Sequence, residues 1–155
     1  FDHQYVEYIY PNGVKMHVQC RNMDNCGVRQ GFYIRGTKGY ADERARIFSL
    51  DNQALWRYRE QEDEVASTQI EHNVFFNAIQ KGPYINNTDY AAKSTLTSIM
   101  GRMATHSAQP IRLEEALASD LSIVPERLAW DAKMPDEPDA NGNYEIPVPG
   151  KTRVI

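Results

Sequence analysis

Residues 68–106 decide the fold of this chain, and they read TQIEHNVFFNAIQKGPYINNTDYAAKSTLTSIMGRMATH. Each half of the stretch carries apolar residues at helical spacing, and Gly82-Pro83 separates the two halves. A glycine tolerates the left-handed end of a helix, and a proline cannot continue one. The stretch therefore predicts two helices, over 68–81 and 89–106, joined by a short loop.

The ends of both helices have recognisable signals. Thr68 and Glu71 have the spacing of a capping box, so they predict the start of the first helix. Thr88 or Asp89 can cap the second helix or face its positive end. Gly101 lies inside the second helix, where glycine costs ~1 kcal/mol relative to alanine. Close packing against a neighbouring element would explain it.

Residues 4–20 predict a β-hairpin. Two alternating runs flank Asn12-Gly13, a dipeptide typical of two-residue hairpin turns. Such a turn places Ile9 opposite Met16, on the face toward the core. The opposite face then carries Val6, Tyr8 and Tyr10. That face is too aromatic for a plain solvent face, so we expect it to contact a partner.

Four further short strands are predicted over 30–35, 40–43, 45–50 and 54–59. The short turns between them favour antiparallel pairing, because parallel strands need long crossovers. An acidic linker over 60–67 leads into the first helix, a short helix is expected over 113–118, and 121–130 reads as helical or irregular. The fold class is therefore α+β: an open-faced, mostly antiparallel sheet of about six strands with helices packed on one face. This domain spans 1–130, and 131–155 forms an irregular proline-rich tail that packs on it.

Composition and charge exclude several functions. The net charge of −4 and the pI near 5.6 argue against a nucleic-acid partner. No apolar run approaches the ~20 residues that would span a membrane. Cys20 and Cys26 fit no redox or zinc spacing, so we favour one core thiol and one loop thiol. The four histidines are scattered, and a metal site is not expected.

One residue is a candidate for chemistry. The chain has no glycine-rich dinucleotide fingerprint, no phosphate-binding loop and no nucleophile elbow. His72 lies near the start of the first helix, on a different side from Val74 and Ala78, and an imidazole can donate, accept or shuttle a proton near neutral pH. A substrate-binding role and a partly buried structural role both stay open. Neighbouring Glu71 is expected to cap the helix, and Lys93 and Arg102 are expected to be solvated or paired.

Several stretches resemble one known family. They are YPNGV (10–14), QCR (19–21), GTKG (36–39), EH (71–72) with Phe76 and AI (78–79), STLTSIMGRMA (94–104), and the ending GNY (142–144) with PVPG (147–150). In order and spacing they are similar to the C-terminal domain of the glucose–fructose oxidoreductase, inositol dehydrogenase and rhizopine-catabolism (Gfo/Idh/MocA) family, the ending in particular to one branch of bacterial members.

The resemblance implies a function for a larger protein. Members of the family pair such a domain with an N-terminal Rossmann domain, which binds NAD or NADP and is absent from this chain. The implied role is substrate binding and oligomerisation for an NAD(P)-dependent oxidoreductase acting on a sugar or polyol, with His72 on the substrate side. The domain binds no cofactor alone and is expected to be inactive alone. The implied partners are its own Rossmann domain and further copies through the open sheet face.

Two other interpretations remain. The chain could be a non-enzymatic dimerising module that binds a ligand or protein, or a free-standing acid–base enzyme built on His72. The sequence identifies neither the sugar, nor the choice between redox and NAD-dependent hydrolase chemistry, nor a cytoplasmic or periplasmic location.

Overall fold

The chain has an α+β fold, as the sequence predicted. A computed structural model describes residues 2–59 and 65–155, and statements about the structure concern these residues. The elements in chain order are β1 (His3–Ile9), β2 (Lys15–Arg21), β3 (Tyr33–Arg35), β4 (Gly39–Asp42), β5 (Arg46–Ser49), β6 (Ala54–Arg57), α1 (Ser67–Lys81), α2 (Thr88–Ser107) and α3 (Leu113–Ala118). The acidic stretch 60–64 of the predicted linker lies outside the described residues.

The strands pair as predicted but form two sheets instead of one. All the pairings are antiparallel, and β1–β2 form a two-stranded sheet while β3–β4–β5–β6 form a four-stranded one. The chain divides into two compact units, where the sequence predicted a single domain over 1–130. One unit contains Phe1–Asp24 and Asn86–Ile155, so the tail belongs with the hairpin, and the other contains Asn25–Ile85.

The hairpin has a three-residue turn, and the predicted register is wrong by one residue. The Gly13 N–H donates to the Tyr10 carbonyl at 2.8 Å, the Tyr10 N–H donates to the Val14 carbonyl at 2.9 Å, and Gly13 has φ +82°. This is a type I turn followed by a left-handed glycine at a bulge. Tyr8 therefore pairs with Met16, and Val6 with Val18.

The one-residue shift moves every side chain of one strand relative to the other. Val6 and Tyr8, predicted on the open face, instead face α2 within the same unit. The Tyr8 hydroxyl donates to the Thr97 carbonyl at 2.9 Å. Ile9, predicted to face the core, is exposed on the outer face, where Glu7 pairs with Lys15 at 2.5 Å.

Gly101 is buried where α2 crosses β1, as its position in the helix predicted. A Cβ atom there would overlap the Tyr8 hydroxyl and lie 3.6 Å from Val6 Cγ2. The contact therefore requires a residue without a side chain. Further along the helix, Met103 and Ser107 are also buried, and the Ser107 hydroxyl donates to the Met103 carbonyl at 2.8 Å.

The proline-rich tail contacts the end of α2. The Gly150 N–H donates to the Ser107 carbonyl at 2.7 Å and satisfies a backbone acceptor that the helix end leaves open. Arg153 reaches Asp120, which follows α3, at 3.5 Å. Residues 121–155 contain no helix or strand, so the irregular alternative holds for 121–130.

Helix α1 ends as predicted but starts differently. Gly82 caps it with φ +64°, and its N–H donates to the Ala78 carbonyl at 3.0 Å. The capping box between Thr68 and Glu71 is not formed, because the helix begins at Ser67 with Ala66 as its N-cap and no side chain bonds the cap. Within its unit, α1 contacts no described strand.

The apolar residues of α1 are consequently open to solvent. Five of them have side chains that are between 45% and 65% exposed: Ile70, Val74, Phe75, Phe76 and Ile79. The prediction that both helices cover one face of a sheet is therefore wrong for α1, which has no sheet against it among the described residues of its unit.

The chain as a whole buries little apolar surface. It exposes 14189 Å², whereas a folded monomer of its mass exposes about 8,000 Å². Even two separately folded proteins with the sizes of the two units would together expose only about 9,600 Å². Among the described hydrophobic side chains, Met103 alone is buried. The division into two units therefore does not by itself account for the large exposed surface.

Candidate functional site

His72 lies on the first turns of α1 and is exposed. Its Nδ1 is 2.7 Å from the Thr68 carbonyl oxygen, four residues earlier in the helix. A carbonyl can only accept, so Nδ1 carries the proton in this contact. The neutral ring then presents Nε2 with a lone pair, and this nitrogen can take a proton from a substrate hydroxyl or accept a hydrogen bond from it.

The described surroundings of His72 offer few polar groups. Glu71 is exposed and, with the capping box absent, has no structural role at the helix start. The only polar partner of His72 among the described residues is Thr68. Of the other polar candidates, Lys93 pairs with Asp89 at 2.8 Å on α2, as expected of a surface cation. A substrate held by His72 would need a second wall beyond those that α1 provides.

The cysteines and acidic residues form no further candidate site among the described residues. Both cysteines are free thiols; Cys20 is exposed on β2 and Cys26 is half-buried in a loop, so neither is the core thiol that the sequence favoured. Within the described ranges, no group of three histidine, cysteine, aspartate or glutamate side chains could hold a metal ion. No described helix combines the length and hydrophobicity that a bilayer crossing requires.

A groove on the four-stranded sheet was not predicted. It has a volume of about 460 Å³ and lies along β5, β6 and the residues that follow β6. Its lining consists of Arg46, Phe48, Ala54, Leu55, Trp56, Arg57 and Arg59. The signal in the sequence was the alternation of Arg57 and Arg59, which places two cations on one side of an extended segment. This alternation indicates Arg57 and Arg59. It does not indicate that Arg46 lies opposite Arg57, because that depends on the strand register.

The three arginines of this groove differ in whether a described acidic side chain neutralises their charge. Arg46 and Arg57 are directly opposite each other on β5 and β6. Arg46 donates to Asp42 through Nε at 3.0 Å, and this guanidinium holds the pKa of the Asp42 carboxyl below its usual value. Its guanidinium carbon also lies 5.2 Å from the centre of the Phe48 ring. Arg57 and Arg59 are exposed and have no partner among the described residues.

The other face of the same sheet carries an apolar row. Ile34 pairs with Ala41, Ala41 with Ile47, and Ile47 with Trp56, so these four side chains lie side by side across all four strands. Ile34 is 63% exposed, Ile47 42% and Trp56 51%. No described helix of this unit contacts a strand. We call these four residues the apolar row.

Comparison with known proteins gave no match: no family model, no curated protein and no solved structure is significantly similar to this chain.

Proposed function

We propose that this chain is the substrate-binding and oligomerisation part of an NAD(P)-dependent oxidoreductase acting on a sugar or polyol. The proposal starts from the resemblance of its sequence to the C-terminal domain of the Gfo/Idh/MocA family. In this proposal NAD or NADP binds to a Rossmann domain outside this chain, and His72 contacts the substrate. The chain alone has neither a nucleotide site nor activity.

The observation that carries the proposal is the exposed apolar surface of α1 beside His72. Five large apolar side chains of this helix are about half exposed or more. Three of them, Phe75, Phe76 and Ile79, follow His72 at helical spacing and share its side of the helix. Soluble proteins rarely leave apolar patches uncovered unless a partner binds there. A second domain on α1 would bury this patch and would also supply the missing wall around Nε2 of His72, which is what a substrate-binding histidine needs.

The stretches that carry the resemblance also have structural reasons of their own. YPNGV forms the three-residue hairpin turn, GTKG forms the β3–β4 turn, and Gly101 of the α2 stretch packs against Tyr8. Similar turns occur in unrelated proteins, so these features are not specific to the family.

Self-association is part of the same proposal. The apolar row presents branched and aromatic side chains on one face of the four-stranded sheet. Aromatic residues are enriched at protein interfaces. A second copy bound to this row in two-fold symmetry would be the simplest closed assembly. This surface replaces the hairpin face proposed from the sequence, since Val6 and Tyr8 contact α2.

A non-enzymatic dimerising module is the alternative, and the same apolar row favours it. The coding sequence upstream of residue 1 separates the two functions. We expect a strand, a glycine-rich turn and a helix with the dinucleotide fingerprint there. An upstream region without a Rossmann domain would contradict the oxidoreductase and leave the module.

His72 is tested in the complete polypeptide. We expect His72→Ala to lower kcat by about 100-fold, the usual size of a lost acid–base or positioning contact, and to leave the melting temperature unchanged because the side chain is exposed. Glu71→Gln on the same helical turn is the matched control and should keep normal turnover. Normal turnover in His72→Ala, or its unfolding, would return His72 to a structural role.

A further inference from the structure

We propose that the groove on β5 and β6 is a binding site for a small organic anion. Its oxyanion, a carboxylate or a phosphate, would bind Arg57 and Arg59, and its ring or apolar part would lie on Phe48 and Leu55. The proposal rests on residues of one unit and does not depend on the function proposed above.

The first support is an unfavourable pair in the sheet. Arg46 and Arg57 occupy directly opposite positions on neighbouring strands, and like charges in such pairs destabilise a sheet. Asp42 neutralises Arg46 through bonds to two of its nitrogens. No described acidic residue does the same for Arg57, so within the described residues its positive charge is uncompensated, and an external anion would balance it.

The second support is the shape of the site. Phe48 pairs with Ala54, whereas Ile47 pairs with Trp56, so Leu55 is the extra residue of a β-bulge. Bulges commonly re-aim side chains beside functional sites. Here the bulge brings Leu55 to the groove next to Phe48, which is itself stacked on Tyr40 with ring centres 5.1 Å apart. The lining therefore combines two large apolar side chains, Phe48 and Leu55, with three arginines.

The third support is the size of the groove. Its volume of about 460 Å³ falls in the range of about 300–1,000 Å³ that holds a small molecule. Arginine presents a planar fork of donors that matches carboxylate and phosphate oxygens two at a time. The chain remains tied to the sheet beyond β6, since the Tyr58 N–H donates to the Ala45 carbonyl at 2.9 Å, so Arg57 and the start of the following segment are held in place.

The test is a titration of the whole chain followed by NMR and calorimetry. The probes are phenyl phosphate, benzoate and benzyl alcohol, which share an aromatic ring and differ in their anionic group. We expect both anions to bind and to shift the amide signals of Phe48 and Leu55, and benzyl alcohol to do neither. The tighter of the two anions identifies the oxyanion that the site prefers. Binding of benzyl alcohol with equal affinity, or no binding of either anion, would overturn the proposal.

Variants separate a site from general charge attraction. Arg57→Gln with Arg59→Gln should weaken binding of the preferred anion at least about tenfold, as expected when charge-assisted hydrogen bonds are lost. The matched control, Arg127→Gln with Arg153→Gln, removes the same two charges elsewhere and should change the affinity less than about twofold. Arg57→Lys with Arg59→Lys tests the fork geometry in a chain that keeps its charge, and we expect an intermediate loss. Equal weakening in the Gln double variant and its control would contradict a site in the groove.

Discussion

Helices α1 and α2 come from one continuous stretch with similar apolar content, yet only α2 has buried residues among those described. Among the described residues, α2 packs on a strand of its unit, whereas α1 contacts none. α2 presents Gly101 to β1, which lets the helix approach until Tyr8 bonds its backbone. α1 presents Phe75 and Phe76, whose rings meet edge to face 5.5 Å apart. An apolar stripe predicts that a helix needs a partner, but a small residue at the crossing point decides how close that partner can come.

The largest expected effect is at that crossing point. Gly101→Leu should lower the free energy of unfolding by about 2–3 kcal/mol, because the new side chain overlaps Tyr8 and Val6. Gln80→Leu on exposed α1 is the matched control and should change it by no more than about 0.5 kcal/mol. Urea denaturation monitored by circular dichroism measures both. Equal effects at the two positions would mean that α2 does not pack on the hairpin as described.

A smaller effect is expected from the hydroxyl of Tyr8. Tyr8→Phe keeps the ring but removes the bond to the Thr97 carbonyl, and it should cost about 1 kcal/mol. Tyr5→Phe is the control on the exposed face, where the Tyr5 hydroxyl bonds His17 at 2.6 Å, and it should cost less.

The pH dependence of this effect has a defined sign. Burial raises the pKa of Tyr8. The wild-type chain should therefore lose stability as the pH rises above about 10, where the unfolded phenol ionises first. A Tyr8→Phe variant with the same alkaline loss as the wild type would contradict the buried hydroxyl.

The smallest effect is expected in the second unit, at Asp42. Arg46 lowers the pKa of this carboxyl. Its contribution to stability is therefore present above the unfolded pKa of about 3.9 and is lost as the pH falls through the folded value. Asp42→Asn should reduce the melting temperature at pH 7 and match the wild type at the lowest pH. A difference that grows on acidification would have the wrong sign for this ion pair.

The sequence predicted local structure well and non-local structure poorly. Gly82 ended α1 where expected, and 113–118 is α3 residue for residue, because both depend on signals within a few positions. The hairpin register failed because Asn12-Gly13 also suits a three-residue loop, and that choice shifts the pairing by one residue. The six strands were predicted to form a single sheet, because no local sequence signal shows whether β2 pairs with a later strand.

The candidate site was predictable only in part. His72 could be chosen for its chemistry and its place beside an apolar face, and it is exposed there. Whether it contacts a substrate depends on what covers α1, which no pattern inside 68–106 specifies. The arginine groove was missed because its cations come from β5 and β6 and meet only through their pairing.

The apolar row is exposed, and we expect a second copy of the chain to cover it. Sedimentation velocity of the whole chain across a range of concentrations measures this association. We expect a dimer or larger assembly at about 10 μM, because a row of half-exposed apolar side chains on a sheet favours association. Ile34→Lys with Ile47→Lys should give a folded monomer, and Ile9→Lys, on the outer face of the hairpin, should leave the assembly unchanged. A wild-type chain that stays monomeric at every concentration would contradict self-association through this row.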